Sequence, residues 1–325
     1  MFNSLFDQRR FRLRSYKDEN DTVDPPNECC AFAHADAYIK LGPFLGSGAF
    51  SQVCVVTEVD EVNNEFDREI VDGWTNFNMF IKMPKSHERR KYLWIEANVL
   101  QDLSQHIHIP QLYYPDDPIK ILVVEIRCET SHLPCLLLRG VVGQTTDERK
   151  GDWESNDLEE IYRKVYDALQ HAHSKGWAHL NVRPANIVTR IKLNDQSPGD
   201  CREVMLIDWA CAQRNDKKVK GFIGSLPYAH DELFGPSKEW EPRLDHDLAS
   251  LAYSLVRLSM GSIPWSGFPN DLLVTDDDMK ERFEMACDHL QELFKTWTIL
   301  PTAKTALLKA ISHHEAMARK RKKAP

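Results

Sequence analysis

His179–Asn186 reads HLNVRPAN, and Leu206–Ala210, beginning 20 residues after Asn186, reads LIDWA. The first stretch follows an amphipathic helical pattern, and the second is the end of an apolar strand. Each therefore sets polar residues where regular structure stops. Asn186 and Asp208 offer oxygen atoms of the kind that a hard divalent cation takes. Arg183 adds a permanent positive charge suited to an anion. Asn181, in the same loop, carries an amide, which cannot take up a proton at physiological pH.

Upstream, residues 1–36 carry mixed charge, a Pro-Pro pair and little periodicity, and are expected to be a largely unstructured, flexible segment. Residues 37–59, AYIKLGPFLGSGAFSQVCVVTEV, read as two β-rich runs around a glycine turn. Asp60–Trp74 reads as an acidic insertion or long turn. Asn78–Met83 (NMFIKM) is a short apolar strand carrying Lys82, and Arg89–Leu103 is a helix containing Glu96. Ile119–Glu129 and Leu133–Val142 are further apolar runs of strand length. The helix Asp157–His173 aligns Leu158, Ile161, Val165, Leu169 and Ala172 on one face and leads into the HLNVRPAN loop. Residues 193–201 form a polar turn and Val204–Ile207 the strand before Asp208. Helices are expected at Asp247–Met260, 277–298 and 302–318, and no internal repeat is present.

These motifs, in this order, resemble the protein kinase superfamily over roughly residues 38–300. The pieces that carry the likeness are LGSGAFSQV, FIKM with Glu96 14 residues beyond Lys82, HLNVRPAN, LIDWA, GSLPYAHDELF (Gly224–Phe234) and DHDLASLAYSLV. DLASLAY, GSIPW (Gly261–Trp265) and the 14-residue spacing add a weaker similarity to the casein kinase 1 group. The resemblance implies an α+β, two-lobed fold. A small β-rich N-lobe with one key helix would occupy about 37–140, and a larger, mainly α-helical C-lobe about 141–318. A basic tail would follow at 319–325.

It also implies roles. Gly46, Gly48, Phe50 and Val53 would belong to the loop that covers nucleotide phosphates, with Ser51 in place of the usual third glycine. Lys82 would pair with Glu96 and grip phosphates; Lys85 is the competing lysine, but follows Pro84. Leu138 would be the gatekeeper, and Arg139–Val141 would offer backbone groups to adenine. Arg183 would neutralise the transferring phosphate, and Asn186 and Asp208 would hold Mg²⁺. His179 would be structural. Asp247 would hold the backbone of the loop, and Glu232 would anchor the segment ahead of it. ATP and Mg²⁺ are the implied cofactors, and a protein substrate or regulated partner protein the implied partner.

Several positions depart from that pattern. Asn181 replaces the catalytic Asp, Leu180 the arginine that grips an activation-segment phosphate, and Ala210 the glycine two after Asp208. Trp209 gives the Asp-Trp form seen in the casein kinase 2 family. Phe80 stands where a small residue packs on the adenine ring. Cys211 reads either as a reachable thiol or as a small core residue. The expected outcome is a pseudokinase that binds Mg-ATP and regulates or scaffolds a partner. A slow Ser/Thr protein kinase is the alternative, and a small-molecule phosphotransferase of the aminoglycoside or choline kinase type a second one, on the strength of the Ile-Asp-Trp strand.

Composition sets the outer limits. The 325 residues are 42% hydrophobic and 28% charged with net charge −8, which argues against general nucleic-acid binding. No apolar run is long enough to span a membrane, and MFNSLFDQRRFRLRS lacks a signal-peptide core. The 8 scattered cysteines suggest free thiols in a reducing cytosol or nucleus. Arg319–Lys323 (RKRKK) reads as a solvated end or a nuclear-import signal.

Overall fold

The computed structural model describes residues 10–15, 35–61, 78–114, 116, 118–126, 129–141, 143–148, 153–190, 203–230, 233, 239–262, 276–298 and 301–311. Most of the acidic 60–74 stretch, the polar turn 193–201, Glu232, the IPW of GSIPW and the tail Arg319–Lys323 lie outside these residues. The chain forms two compact units. One comprises Met1–Gln105 and Pro110–Val142, the other His106–Ile109 and Gly143–Pro325. A protein kinase-like α+β division into a strand-rich and a helical part is what the elements show.

Unit 1 contains strands β1 (Arg10–Ser15), β2 (Ala35–Ser47), β3 (Ser51–Glu61) and β4 (Asn78–Pro84), helix α1 (Arg90–Asp102), and strands β5 (Gln111–Leu112), β6 (Ile119–Ile126) and β7 (Glu129–Gly140). The order is β4-β3-β2-β1-β6-β7-β5, with β4 also paired to β7, so six strands close on themselves as an antiparallel barrel. Closure depends on β1, which pairs with β2 on one edge (Phe11 opposite Ile39) and with β6 on the other (Leu13 opposite Leu122).

That strand corrects the reading of residues 1–36 as largely unstructured. RFRLRS alternates charged and apolar residues with period 2, but it is short, and its two partner strands lie far along the chain. The β6–β7 pair also corrects an expectation. Thr130–His132, the polar residues between the expected runs Ile119–Glu129 and Leu133–Val142, belong to β7, and Glu129 and Thr130 sit opposite Ile126 and Glu125.

The two-residue period of β4 sorts its side chains to two faces. Met79, Ile81 and Met83 join Ile39, Leu41, Cys54, Val56, Cys135 and Leu137 in one apolar cluster. Phe80 and Lys82 therefore take the opposite face. Register shifts in β2 at Lys40/Leu41, Leu41/Phe44 and Phe44/Gly46 bend the hairpin ahead of its glycine turn.

Unit 2 contains β8 (Gln144–Thr145), α2 (Ser155–Ser174), β9 (Trp177–Ala178), β10 (Ile187–Arg190), β11 (Glu203–Leu206), β12 (Gln213–Arg214), β13 (Val219–Lys220), β14 (Glu239–Trp240), α3 (Leu244–Met260), α4 (Asp276–Phe294) and α5 (Pro301–Ile311). The stripe on α2 is buried as its spacing predicts, with Leu158, Ile161, Val165, Leu169 and Ala172 at most 1% exposed. Helix α3 packs against α2, α4 and α5 and is buried around nearly its whole circumference. No described helix is long and apolar enough to cross a membrane. Helix α4 stops at Phe294, four residues short of the expected end, where Lys295 and Thr296 turn back to the Glu292 and Leu293 carbonyls.

The β10–β11 ribbon positions the loop residues. Ile187 lies opposite Leu206, and the Ile207 N–H donates to the Asn186 carbonyl at 2.9 Å. The residues just outside the ribbon, Asn186 and Asp208, therefore emerge at the same end.

Candidate functional site

In unit 1 the Lys82 Nζ lies 2.5 Å from Glu96 Oε2, with the two side chains 6% and 2% exposed. Lys85 is exposed, so of the two candidate lysines only Lys82 is buried against the helix glutamate. Register places Val53 opposite Lys82, Leu136 opposite Lys82 on the other side, and Leu138 opposite Phe80. Lys82, Phe80, Val53, Leu136 and Leu138 therefore share one face of the sheet. Phe80 is 7% exposed and has Val55 and Leu138 as its cross-strand neighbours. Strand β7 continues through Gly140, so of Arg139–Val141 only Val141 lies beyond the ladder. Gly48 and Phe50 form the β2–β3 turn, with the Gly48 N–H on the Ser51 carbonyl at 2.9 Å, and Gly46 has open space where a Cβ would stand.

In unit 2 the HLNVRPAN loop is held by its own backbone. Asp247 is 0% exposed on α3. Its Oδ1 accepts the Leu180 N–H at 2.7 Å, and its Oδ2 accepts the His179 N–H at 2.8 Å and the His173 Nε2–H at 2.9 Å. Burial pushes the Asp247 carboxyl upward. The His173 hydrogen bond and charge, with the Leu180 amide, outweigh it and hold the group below its usual value. These bonds keep Leu180 in the left-handed region, at φ 61°. Thr146 adds two ties, Oγ1 to the Pro184 carbonyl and N–H to the Ile187 carbonyl, each 2.8 Å.

His179 is structural. Its Nδ1 accepts the Asn181 N–H at 3.2 Å, which puts its proton on Nε2, 3.2 Å from the Ile207 carbonyl. Its ring packs edge-on against Trp209, 4.5 Å between centroids. Trp209 is fully buried and donates through Nε1 to the Leu206 carbonyl at 3.1 Å. Asp208 adopts φ 65° at the head of the 3-10 turn Trp209–Cys211. Ala210 has no positive φ, so the glycine that it replaces is not needed for this backbone. Cys211 closes the turn, half-buried.

The polar atoms of the loop divide cleanly. Asn186 donates Nδ2 to the Asn181 carbonyl at 2.9 Å, which leaves Oδ1 as the atom suited to a metal. Asn181 Oδ1 accepts the Ser225 hydroxyl at 2.9 Å. The Arg183 Nε is buried and has no hydrogen-bond partner among the described residues. Burial and the Asp147 charge push the nearby Tyr228 hydroxyl up, and the Arg257 and Arg183 charges oppose them. Among the described residues no group of three or more His, Cys, Asp and Glu could hold a metal.

Three participants were not read from the sequence. Ser225 follows Gly224 in the GSLPY stretch, but nothing local ties it to Asn181, 44 residues earlier. Gly224 has φ +112°, and a Cβ there would stand 2.3 Å from the Leu180 carbonyl oxygen. His173 closes the donor set on Asp247. Leu180, in the arginine position, is 3% exposed and packs with Ala178, Val219, Ala229, Leu233 and Trp240, against which Phe222 and Ile223 also lie.

The protein kinase domain model matches residues 39–322. Serine/threonine-protein kinase SBK1 of Danio rerio is 31% identical over 111 residues, 33% of this chain and 27% of its own length. Casein kinase 1-like protein HD16 of Oryza sativa subsp. japonica is 30% identical over 143 residues, 39% and 19% of the two lengths. Calcium-dependent protein kinase 5 of Plasmodium berghei is 24% identical over 243 residues, covering 72% of this chain. The chain spans less than half the length of each of these relatives, 41% at most. With the family model covering most of its length, the chain belongs to the protein kinase domain family.

Proposed function

We propose that the protein is a pseudokinase that binds Mg-ATP and regulates or scaffolds a partner protein. The observation that carries this reading is the Asn181 side chain. By the kinase resemblance it stands where a general base is expected; its amide cannot accept a proton, and its Oδ1 already accepts the Ser225 hydroxyl. In this reading each unit contributes its own residues. Lys82, oriented by Glu96, would grip phosphates. Asn186 Oδ1 and Asp208 would hold the metal, and the unpartnered Arg183 Nε would meet the terminal phosphate. When bound, Mg²⁺ supplies charge neutralisation on the phosphates.

General-base catalysis is worth about 10²–10⁴ and kinase turnover is about 1–100 s⁻¹, so loss of the base leaves roughly 10⁻⁴–1 s⁻¹. Phe80 bears on nucleotide binding, because its ring shares the Lys82 face of the sheet. The apolar packing of Leu180 with the Val219–Leu233 segment supports an anchor for that segment which needs no phosphate.

A phosphotransfer assay with labelled Mg-ATP on wild type, Asn181→Asp and Asp208→Ala tests the reading, alongside thermal shift with Mg-ATP. The expected result is stabilisation of wild type by Mg-ATP, no phosphotransfer above background, and transfer restored by Asn181→Asp. Wild-type transfer that disappears in Asp208→Ala would establish a slow kinase instead. Absence of stabilisation in wild type but its appearance in Phe80→Ala would mean that the aromatic ring fills the adenine position.

A further inference from the structure

One face of α1 does two jobs. Glu96 meets Lys82, and Tyr92, one turn earlier, stacks on Phe50 of the glycine turn with ring centroids 3.8 Å apart and planes 18° from parallel. Arg89, in the 3-10 turn that runs into α1, donates Nη1 to the Ala49 carbonyl and holds its guanidinium carbon 5.5 Å from the centre of the Phe50 ring. Positions 89, 92 and 96 follow the i, i+3, i+7 spacing of a single helix face. The Lys85 N–H adds a bond to the Phe50 carbonyl at 3.0 Å. The three-residue turn Gly48–Phe50 is thus fastened at two consecutive residues to the helix that also carries the partner of Lys82. The turn backbone stays exposed at Gly48 and Ala49 while Phe50 is half-buried.

A glycine turn left to itself loses conformational freedom when a ligand orders it, and one already fixed has less to lose. Stacking of this geometry is a specific attraction between rings, beyond the area it covers. We propose that Arg89 and Tyr92 are positioning residues that clamp the glycine turn through Phe50, holding it preorganised for the phosphates of a nucleotide. This rests on the nucleotide reading above. The clamp makes the turn, α1 and the Lys82–Glu96 pair one mechanical piece, so that a helix displacement loosens both phosphate contacts together.

Calorimetric titration of full-length wild type, Tyr92→Ala, Tyr92→Phe and Arg89→Ala with Mg-ATP and with adenosine, which lacks phosphates, tests it. Tyr92→Ala and Arg89→Ala weaken Mg-ATP by about 5-fold and leave adenosine within about 2-fold, and Tyr92→Phe, which keeps the stack, restores the wild-type ratio. Equal losses for both ligands would mean general structural damage and overturn the proposal, as would unchanged Mg-ATP binding in Tyr92→Ala. Amide exchange at residues 48–50 of the ligand-free protein reads the clamp by itself. It rises in Tyr92→Ala if the clamp exists, and unchanged exchange overturns it. A wild type that binds neither ligand sinks the nucleotide reading and the phosphate role with it, whereas ligand binding with all variants unchanged sinks the clamp alone.

Discussion

Replacing Asp247 with Ala removes a buried acceptor that ties α3 to the HLNVRPAN loop. The carboxylate is fully buried and takes hydrogen bonds from the Leu180 and His179 amides and from His173. Its removal orphans the two amides at about 1–3 kcal/mol each. The His173 side chain, 10% exposed, recovers part of its loss from water. Leu180 also loses the contact that holds its φ at 61°, while relief of the buried carboxylate offsets some of the cost. The expected net loss is about 3 kcal/mol, a large share of the roughly 5–15 kcal/mol that a folded protein has. Urea unfolding followed by tryptophan emission measures it. Asp245→Ala, partly exposed in the first turn of the same helix, is the control and should cost about 0.3–1 kcal/mol through the helix dipole. The acid limb carries a second signature. Because the folded Asp247 carboxyl is held below its unfolded value, its contribution is present above that value and lost as pH falls through the folded one. The steep loss of wild-type stability below pH about 4 should flatten in the variant. A cost for Asp247→Ala no larger than that of Asp245→Ala would refute the view that this carboxylate sets the loop.

Gly224→Ala should cost at least about 2 kcal/mol, since φ +112° is strained for any L side chain and the new Cβ would meet the Leu180 carbonyl oxygen at 2.3 Å; a melting temperature within error of wild type would count against that close approach. A histidine cluster in unit 2 predicts a separate pH dependence near neutrality. His106 stacks on His171 with centroids 4.7 Å apart and lies 5.7 Å from His108, and its Nε2 is 3.2 Å from Asp167. Burial is the leading cause that lowers all three, with the neighbouring His106 charge adding to the effect at His108 and His171, the Lys164 charge at His108 and the Lys175 charge at His171, while Asp167 opposes it throughout. The folded state therefore binds fewer protons than the unfolded one, and the stability is present above the unfolded value of about 6.5 and lost as pH falls through it. Urea midpoints should decline between pH about 7 and 5.5, and His171→Gln should reduce that slope; an identical slope in the variant would remove the cluster as its source.

What was legible in the sequence is what local pattern encodes. The stripe of α2, the NMFIKM strand with its single lysine, and the strand that ends at Asp208 each declare themselves within a few residues, because burial imposes a 3.6- or 2-residue period. The Lys82–Glu96 pairing was legible through resemblance, and so was the part played by Asp247. Contacts between distant segments were not. β1 makes sense only when β2 and β6 flank it, with Arg12 opposite Tyr38 on one side and Val123 on the other. The Ser225–Asn181 bond joins two loops, and no periodicity marks either end. Leu180 looked like a missing arginine. The structure places it among apolar neighbours, Ala178, Val219, Ala229, Leu233 and Trp240, which no local pattern foretold.

Asn181 itself separates architecture from chemistry. Of the bonds that place it, two use its backbone: its N–H to His179 Nδ1, and its carbonyl accepting Asn186 Nδ2. Neither depends on whether the side chain ends in an amide or a carboxylate. The third, from Ser225 to Oδ1, needs only an oxygen acceptor, which both side chains supply. An aspartate at this position would keep every bond that orders the loop and add one thing, an atom able to take a proton. The form of the loop is therefore indifferent to whether residue 181 ends in an amide or a carboxylate. The loop around Asn186 and Arg183 is tied down by the Asn181 carbonyl, Thr146 and the β10–β11 ribbon. For the same reason Asn181→Asp is a sharper probe than any deletion. If the variant melts with wild type yet transfers phosphate, the loss was chemical alone; if it melts with wild type and stays silent, the block lies elsewhere, and Phe80 on the Lys82 face of the sheet is the next residue to change.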